Sequence, residues 1–109
     1  EPTDYLDIHG TKDALMKYGG GRQHGAHYHS VKKSLRGIAK ENGCNPFPKR
    51  RRKEAVEHFT WRVCDARTEQ YTIHGGTHTW NGGATDHSGL VKAEWTTDTV
   101  LDFFHIAHP

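Results

Sequence analysis

The chain has 109 residues, 33% of them hydrophobic, with a mean hydropathy of -0.88, which allows a single domain with a thin core. No apolar run approaches the ~20 residues that a membrane-spanning helix needs, so no membrane partner is expected. Net charge is +2, but five positives fall in Lys49–Lys53 and the rest of the chain has 10 basic against 13 acidic residues. A nucleic-acid binder spreads its positive charge over a face interleaved with aromatics, so this run reads as a solvated surface loop and no nucleic-acid partner is expected.

Tyr5-Leu6-Asp7-Ile8-His9 reads as a short strand stopped by Gly10. Lys12 to His29 holds several glycines and little periodicity, and reads as a long loop. Ser30 is a good N-cap for a helix to about Asn42, with Val31, Leu35 and Ile38 on one apolar stripe. Gly43 suits the C′ position, and Pro46 and Pro48 prevent continuation. From His58 the period changes to two: Phe59, Trp61 and Val63 alternate with Thr60, Arg62 and Cys64, a strand with one apolar face. Trp61 in this pattern reads as ordinary packing. Asp65 to Thr68 supplies turn residues, Gln70–His74 reads as the next strand, and Gly75 to Gly89 as loop. Thr96 or Thr97 can cap a last helix with Val100, Leu101, Phe104 and Ala107 on its buried face. Strands alternating with amphipathic helices predict an α/β sheet, although the pair around Asp65 could form a local hairpin.

The richest stretch for chemistry is Gly75-Gly76-Thr77-His78-Thr79-Trp80-Asn81-Gly82-Gly83. Paired glycines on both sides allow sharp turns, so the His78 imidazole is presented on a tight loop as a general base would be. Asp13 follows the first strand and its glycine turn in the same way. In an open α/β sheet, ligands gather outside the carboxyl ends of the strands, so parallel strands would bring Asp13 and His78 to one edge. A buried carboxylate that accepts the second N–H of an imidazole fixes its tautomer and stabilises the imidazolium.

Ile8-His9-Gly10-Thr11-Lys12-Asp13 through Tyr18-Gly19-Gly20 resembles the acid-bearing loop of secreted α/β-hydrolase esterases of the polyhydroxybutyrate depolymerase and feruloyl esterase type. Asn42-Gly43-Cys44, the stretch Tyr71-Thr72-Ile73 leading to Gly76–Gly82, and Asp102-Phe103-Phe104 resemble that family's helix turn, histidine loop and closing helix. The resemblance runs from about Tyr5 to Phe104. It implies the C-terminal portion of an α/β-hydrolase fold, about three strands and two main helices, with residues 1–109 as one partial domain. It also implies Asp13 as triad acid, His78 as triad base, a Cys44–Cys64 disulfide, a secreted protein and no cofactor or metal. By spacing alone, two free buried thiols are the lesser alternative; a bond between them would close a loop of about 20 residues, worth roughly 3 kcal/mol.

Several positions depart from the family pattern. Asn81 stands where proline is usual and Ile38 where tryptophan is common; Lys12, Met16 and Lys17 are unusual in the acid loop, and Lys49–Lys53 looks like a local insertion. The nucleophile is also missing, since Ser30, Ser34 and Ser88 lie in no Gly-x-Ser-x-Gly elbow. The expectation is therefore a carboxylic ester hydrolase acting on a polyester, feruloyl or acetyl ester. Its serine and oxyanion hole would come from a missing N-terminal half of the same domain, and this chain would be inactive alone. Trp80, two residues after His78, is a candidate substrate-stacking residue, with packing as the alternative. His24, His27 and His29 form an H-x2-H-x-H cluster that reads as exposed histidines more than as a zinc site. His9 reads as a structural residue bonded to backbone. The alternative function is a small non-catalytic extracellular module that binds carbohydrate or a protein partner.

Overall fold

The computed structural model describes residues 1–13, 18–23, 26–28, 30–79 and 81–105. Among these, six strands and two helices follow the order β1 (Tyr5–Gly10), β2 (Gly21–Gln23), β3 (Ala26–Tyr28), α1 (Val31–Glu41), β4 (Lys49–Lys53), β5 (Val56–Thr60), β6 (Thr68–Ile73) and α2 (Trp95–Phe103). Four strands form one sheet in the order β1-β6-β5-β4, and β2 and β3 form a separate antiparallel pair. β1 runs parallel to β6, while β6, β5 and β4 are successively antiparallel. No helix among the described residues is long and apolar enough to cross a membrane.

This mixed sheet overturns the expected fold class. The C-terminal portion of an α/β-hydrolase, with strands alternating with helices, would give parallel neighbours, yet among the described residues only β1 and β6 are parallel. The difference lies in the pair around Asp65, where β5 and β6 form the antiparallel hairpin offered as the alternative, and in Lys49–Lys53, read from sequence as a solvated loop. It is a strand, paired residue for residue with β5 from Lys49↔Thr60 to Lys53↔Val56. Its five side chains are all exposed, so no apolar alternation marks it. The segment read as one long loop also contains the β2–β3 pair. β5 lies two residues earlier than expected and ends at Thr60. Trp61 does pack in the core, but Val63 has φ 58° and is 84% exposed, because the chain leaves the sheet there.

α1 forms as its sequence dictates. The Ser30 hydroxyl accepts the Lys33 N–H at 3.1 Å, Leu35 is buried, and Val31 and Ile38 are half-buried beside it. The helix packs Leu35 and Ala39 against Trp61, flanked by Tyr5, Val31, Phe59 and the Cys44–Cys64 disulfide. That bond ties the residues after α1 to the turn after β5, as the family resemblance implied.

α2 covers the opposite face, with the Trp95 ring edge-on to Tyr71 at 5.3 Å. It begins after Glu94 and not at a threonine cap: Thr96 lies inside the first turn, and its hydroxyl donates to the Asn81 carbonyl at 2.6 Å. The expected buried face is displaced by one residue at its end, since Phe103 is buried and Phe104 exposed. The Arg67 guanidinium lies over the Phe103 ring at 4.1 Å and donates to the Phe103 carbonyl, which holds that ring inward. Ala107 lies outside the described residues.

The central strand is largely polar. Thr68, Glu69, Gln70 and Thr72 of β6 are all buried. Each side chain is hydrogen-bonded, as burial without a penalty requires. The Asn42 amide donates to Thr68 Oγ1 at 2.8 Å, and Gln70 Nε2 to Asp7 Oδ2 at 3.2 Å. Thr72 Oγ1 donates to Gln70 Oε1 at 2.7 Å, which leaves the Tyr18 hydroxyl as donor to Thr72 at 3.1 Å. Glu69 takes His58 Nε2 at 2.7 Å and an Arg67 N–H at 2.8 Å. The His58 bond and the Arg67 charge outweigh burial and hold the Glu69 carboxyl below the ordinary range.

Candidate active site

Because β1 and β6 are parallel neighbours, the chain leaves both at the same edge. The register places Gly10 opposite Ile73, and the backbone continues the pairing past the last residues. The Thr11 N–H donates to the Ile73 carbonyl at 3.1 Å, the Lys12 N–H to the Gly76 carbonyl at 2.8 Å, and the Gly75 N–H to Thr11 Oγ1 at 2.8 Å. The two loops are thereby joined before either presents a side chain. Gly10 makes this approach possible: a Cβ there would lie 2.1 Å from the Gly76 carbonyl oxygen.

From these loops Asp13 and His78 meet, with His78 Nδ1 2.7 Å from Asp13 Oδ2. The Asp13 side chain is 6% exposed and that of His78 51%, so a buried acid is bonded to an accessible base. With Nδ1–H donated to the carboxylate, the imidazole lone pair resides on Nε2, the tautomer a general base requires. A cleft of about 400 Å³ opens here, lined among others by Ile8, Thr77, Thr79 and both of these residues.

His9 sits closer to this pair than the sequence suggested. Its Nε2 lies 3.4 Å from the same Asp13 oxygen, and its ring meets Tyr18 edge-on at 5.9 Å. Asp13 Oδ2 thus faces two imidazoles. The signal was present in the four-residue spacing from His9 to Asp13, which a turn at Gly10 folds back on itself.

The far side of the histidine loop is latched to α2 and to an internal carboxylate. Asn81 is buried, and its carbonyl accepts both the hydroxyl and the N–H of Thr96, at 2.6 and 3.2 Å. Asn81 therefore stands at an anchored position. Gly82 has φ +85°, and a Cβ there would lie 2.5 Å from the Lys92 carbonyl oxygen, so glycine is required. Asp86 closes the loop by accepting the Gly82 N–H at 2.9 Å and the Ser88 hydroxyl at 2.6 Å. Those bonds, the Ser88 hydroxyl first, hold the Asp86 carboxyl below its usual range. Sequence reading missed this latch, although Asp86-His87-Ser88 has the two-residue spacing of an Asx turn.

The serines have other work. Ser30 caps α1, Ser34 lies on its exposed side, and Ser88 bonds Asp86. Trp80 lies outside the described residues, as do His24 and His29 of the histidine cluster. Among the described residues, no group of three or more His, Cys, Asp or Glu side chains converges as a metal site would need. No family model matches the chain, and neither a curated protein nor a solved structure shows significant similarity to it.

Proposed function

We propose that Asp13 and His78 are the acid and base of a Ser-Asp-His relay for carboxylic ester hydrolysis, the ester being a polyester, feruloyl or acetyl ester. In this reading His78 Nε2 takes the proton of a serine hydroxyl as that oxygen attacks the ester carbonyl, then returns it to the leaving alcohol. Asp13 holds the ring in the required tautomer and stabilises the imidazolium. The serine and the oxyanion-hole donors are supplied from chain beyond residues 1–109. What supports the reading is the 2.7 Å contact between a buried carboxylate and a half-exposed imidazole at the shared end of two parallel strands. The Cys44–Cys64 disulfide fits an oxidising compartment, and with it a secreted enzyme.

The reading is tested in the coding sequence upstream of Glu1 and then in the protein it encodes. A Gly-x-Ser-x-Gly elbow is expected there, and the longer protein should hydrolyse p-nitrophenyl esters. In that protein His78→Ala should lower kcat by about 10⁶ and Asp13→Asn by about 10⁴, while the circular dichroism spectrum is retained. Full turnover in His78→Ala removes His78 from the mechanism. An initiator or signal peptide directly before Glu1 removes the hydrolase altogether and favours a non-catalytic binding module.

A further inference from the structure

β4 is an edge strand: one side pairs with β5, and no strand among the described residues pairs with the other. Its five residue pairs with β5 run without a bulge, so the outer row of N–H and C=O groups is straight enough to template another strand. Among the described residues, the backbone of Lys49–Lys53 makes no hydrogen bond outside this ladder. Bare edges of this kind are normally hazards, and like charges along them repel a second copy of the same chain. Here all five side chains are cations and all are exposed.

The charges divide between the two faces. Lys49, Arg51 and Lys53 point to one face at a repeat of about 7 Å, and Arg50 and Arg52 to the other. On the second face Arg50 reaches Glu57 at 3.1 Å, and Arg52 Nε donates to the Glu54 carbonyl at 3.0 Å. On the first face Lys49, Arg51 and Lys53 have no carboxylate partner among the described residues, and their neighbours across the ladder are Thr60, His58 and Val56. A ligand laid on one face would meet two or three of these cations. A strand added along the edge projects side chains to both faces and meets all five.

We propose that β4 is a docking edge for an acidic peptide segment, which joins the sheet as an additional strand. Main-chain hydrogen bonds to the outer side of β4 supply the affinity, and carboxylates opposite the cations supply the selectivity. The same charges that reject self-association then admit only a strand of opposite sign. The docking edge is separated by β5 from β1 and β6, the strands that carry the Asp13–His78 pair, so the proposal stands whether or not that pair is catalytic.

The test uses the whole chain and fluorescence-anisotropy titration with a blocked synthetic peptide of alternating glutamate and valine. Two further ligands accompany it: the same peptide N-methylated at alternate amides, and polygalacturonate. The acidic peptide should bind, and its affinity should fall as salt is raised. The N-methylated peptide, unchanged in charge, should lose at least about tenfold, because it cannot complete the ladder on its pairing side. The charge-reversed variant Lys49→Glu/Arg51→Glu/Lys53→Glu, altered only at exposed positions, should exchange preference to a lysine–valine peptide. Equal binding of the acidic and N-methylated peptides overturns the proposal, since that is charge attraction without strand addition. So do tighter binding of polygalacturonate, no binding of the acidic peptide, or a charge-reversed variant that keeps its preference.

Discussion

Gly10→Ala is the substitution that most directly couples the sheet to the site. The added Cβ would lie 2.1 Å from the Gly76 carbonyl oxygen, 2.3 Å from its carbon and 2.9 Å from its Cα, whereas ordinary contact begins at 3.4 Å. All three atoms are backbone, so no side chain can rotate away. The end of β1 and the histidine loop must part by about 1 Å, and overpacking of this kind costs about 3 kcal/mol at the upper end of its range. The displaced oxygen is the one that accepts the Lys12 N–H at 2.8 Å, one residue before Asp13. The 2.7 Å contact between His78 and Asp13 should therefore lengthen beyond hydrogen-bonding distance. Urea unfolding gives the stability, and the downfield imidazole Nδ1–H proton resonance reports the bond. Gly37→Ala is the control: a Cβ there meets nothing within 4 Å, and alanine inside α1 should stabilise by about 1 kcal/mol. If Gly10→Ala unfolds at the wild-type midpoint with the downfield resonance unmoved, the close approach of the two loops does not hold the site together.

Two more outcomes follow from the packing around that edge. Reducing the Cys44–Cys64 bond, which spans a sequence separation of 20, should lower stability by about 3 kcal/mol, read as a shift in urea midpoint with and without reductant; an unchanged midpoint would mean that the reduced unfolded chain is already constrained there. Asp7 has its pKa raised, chiefly by burial and against the opposing pull of the Gln70 bond and the His9 charge. Its folded value lies above the unfolded one, so its stabilising contribution is present below about pH 3.9 and lost as pH rises through the folded value. Asp7→Asn, which can still accept from Gln70, should thus be more stable than wild type at pH 7 and equal to it at pH 3. Lower stability of Asp7→Asn at pH 7 would show that the carboxylate's hydrogen bond outweighs its burial.

What the sequence disclosed depended on whether a local pattern had a single physical cause. Ser30 with Val31, Leu35 and Ile38 specified α1 because a cap and a 3.6-residue stripe agree only in a helix. Gly10 and the glycines before His78 marked turns after strands, and that was enough to pair Asp13 with His78 once β1 and β6 proved parallel. β4 was illegible for the opposite reason: an edge strand exposed on both faces needs no apolar residue, and five cations carry no period. Val63 continued the alternation of Phe59 and Trp61 in sequence, but Asp65 and Cys64 turn the chain toward the residues after α1, through the Asp65 N–H to the Asn42 carbonyl at 2.8 Å and the disulfide. Long-range bonds of that kind leave no trace in a short window.

The polar character of β6 explains how a chain so poor in apolar residues still holds its site in place. Strand β6 passes under α1 and beside β1, and its side chains are fixed by hydrogen bonds to both. Asn42, at the end of α1, reaches Thr68; Tyr18, from the segment after Asp13, reaches Thr72; and Gln70 ties Thr72 to Asp7 of β1. Such a network has one geometry in which every group is satisfied, whereas an apolar interface slides at small cost. The loop after β6 begins two residues beyond Thr72, the last member of this network, and Tyr18 is also the ring against which His9 packs. The position of Asp13 relative to His78 is therefore set from the sheet outward, by buried polar bonds more than by hydrophobic contact.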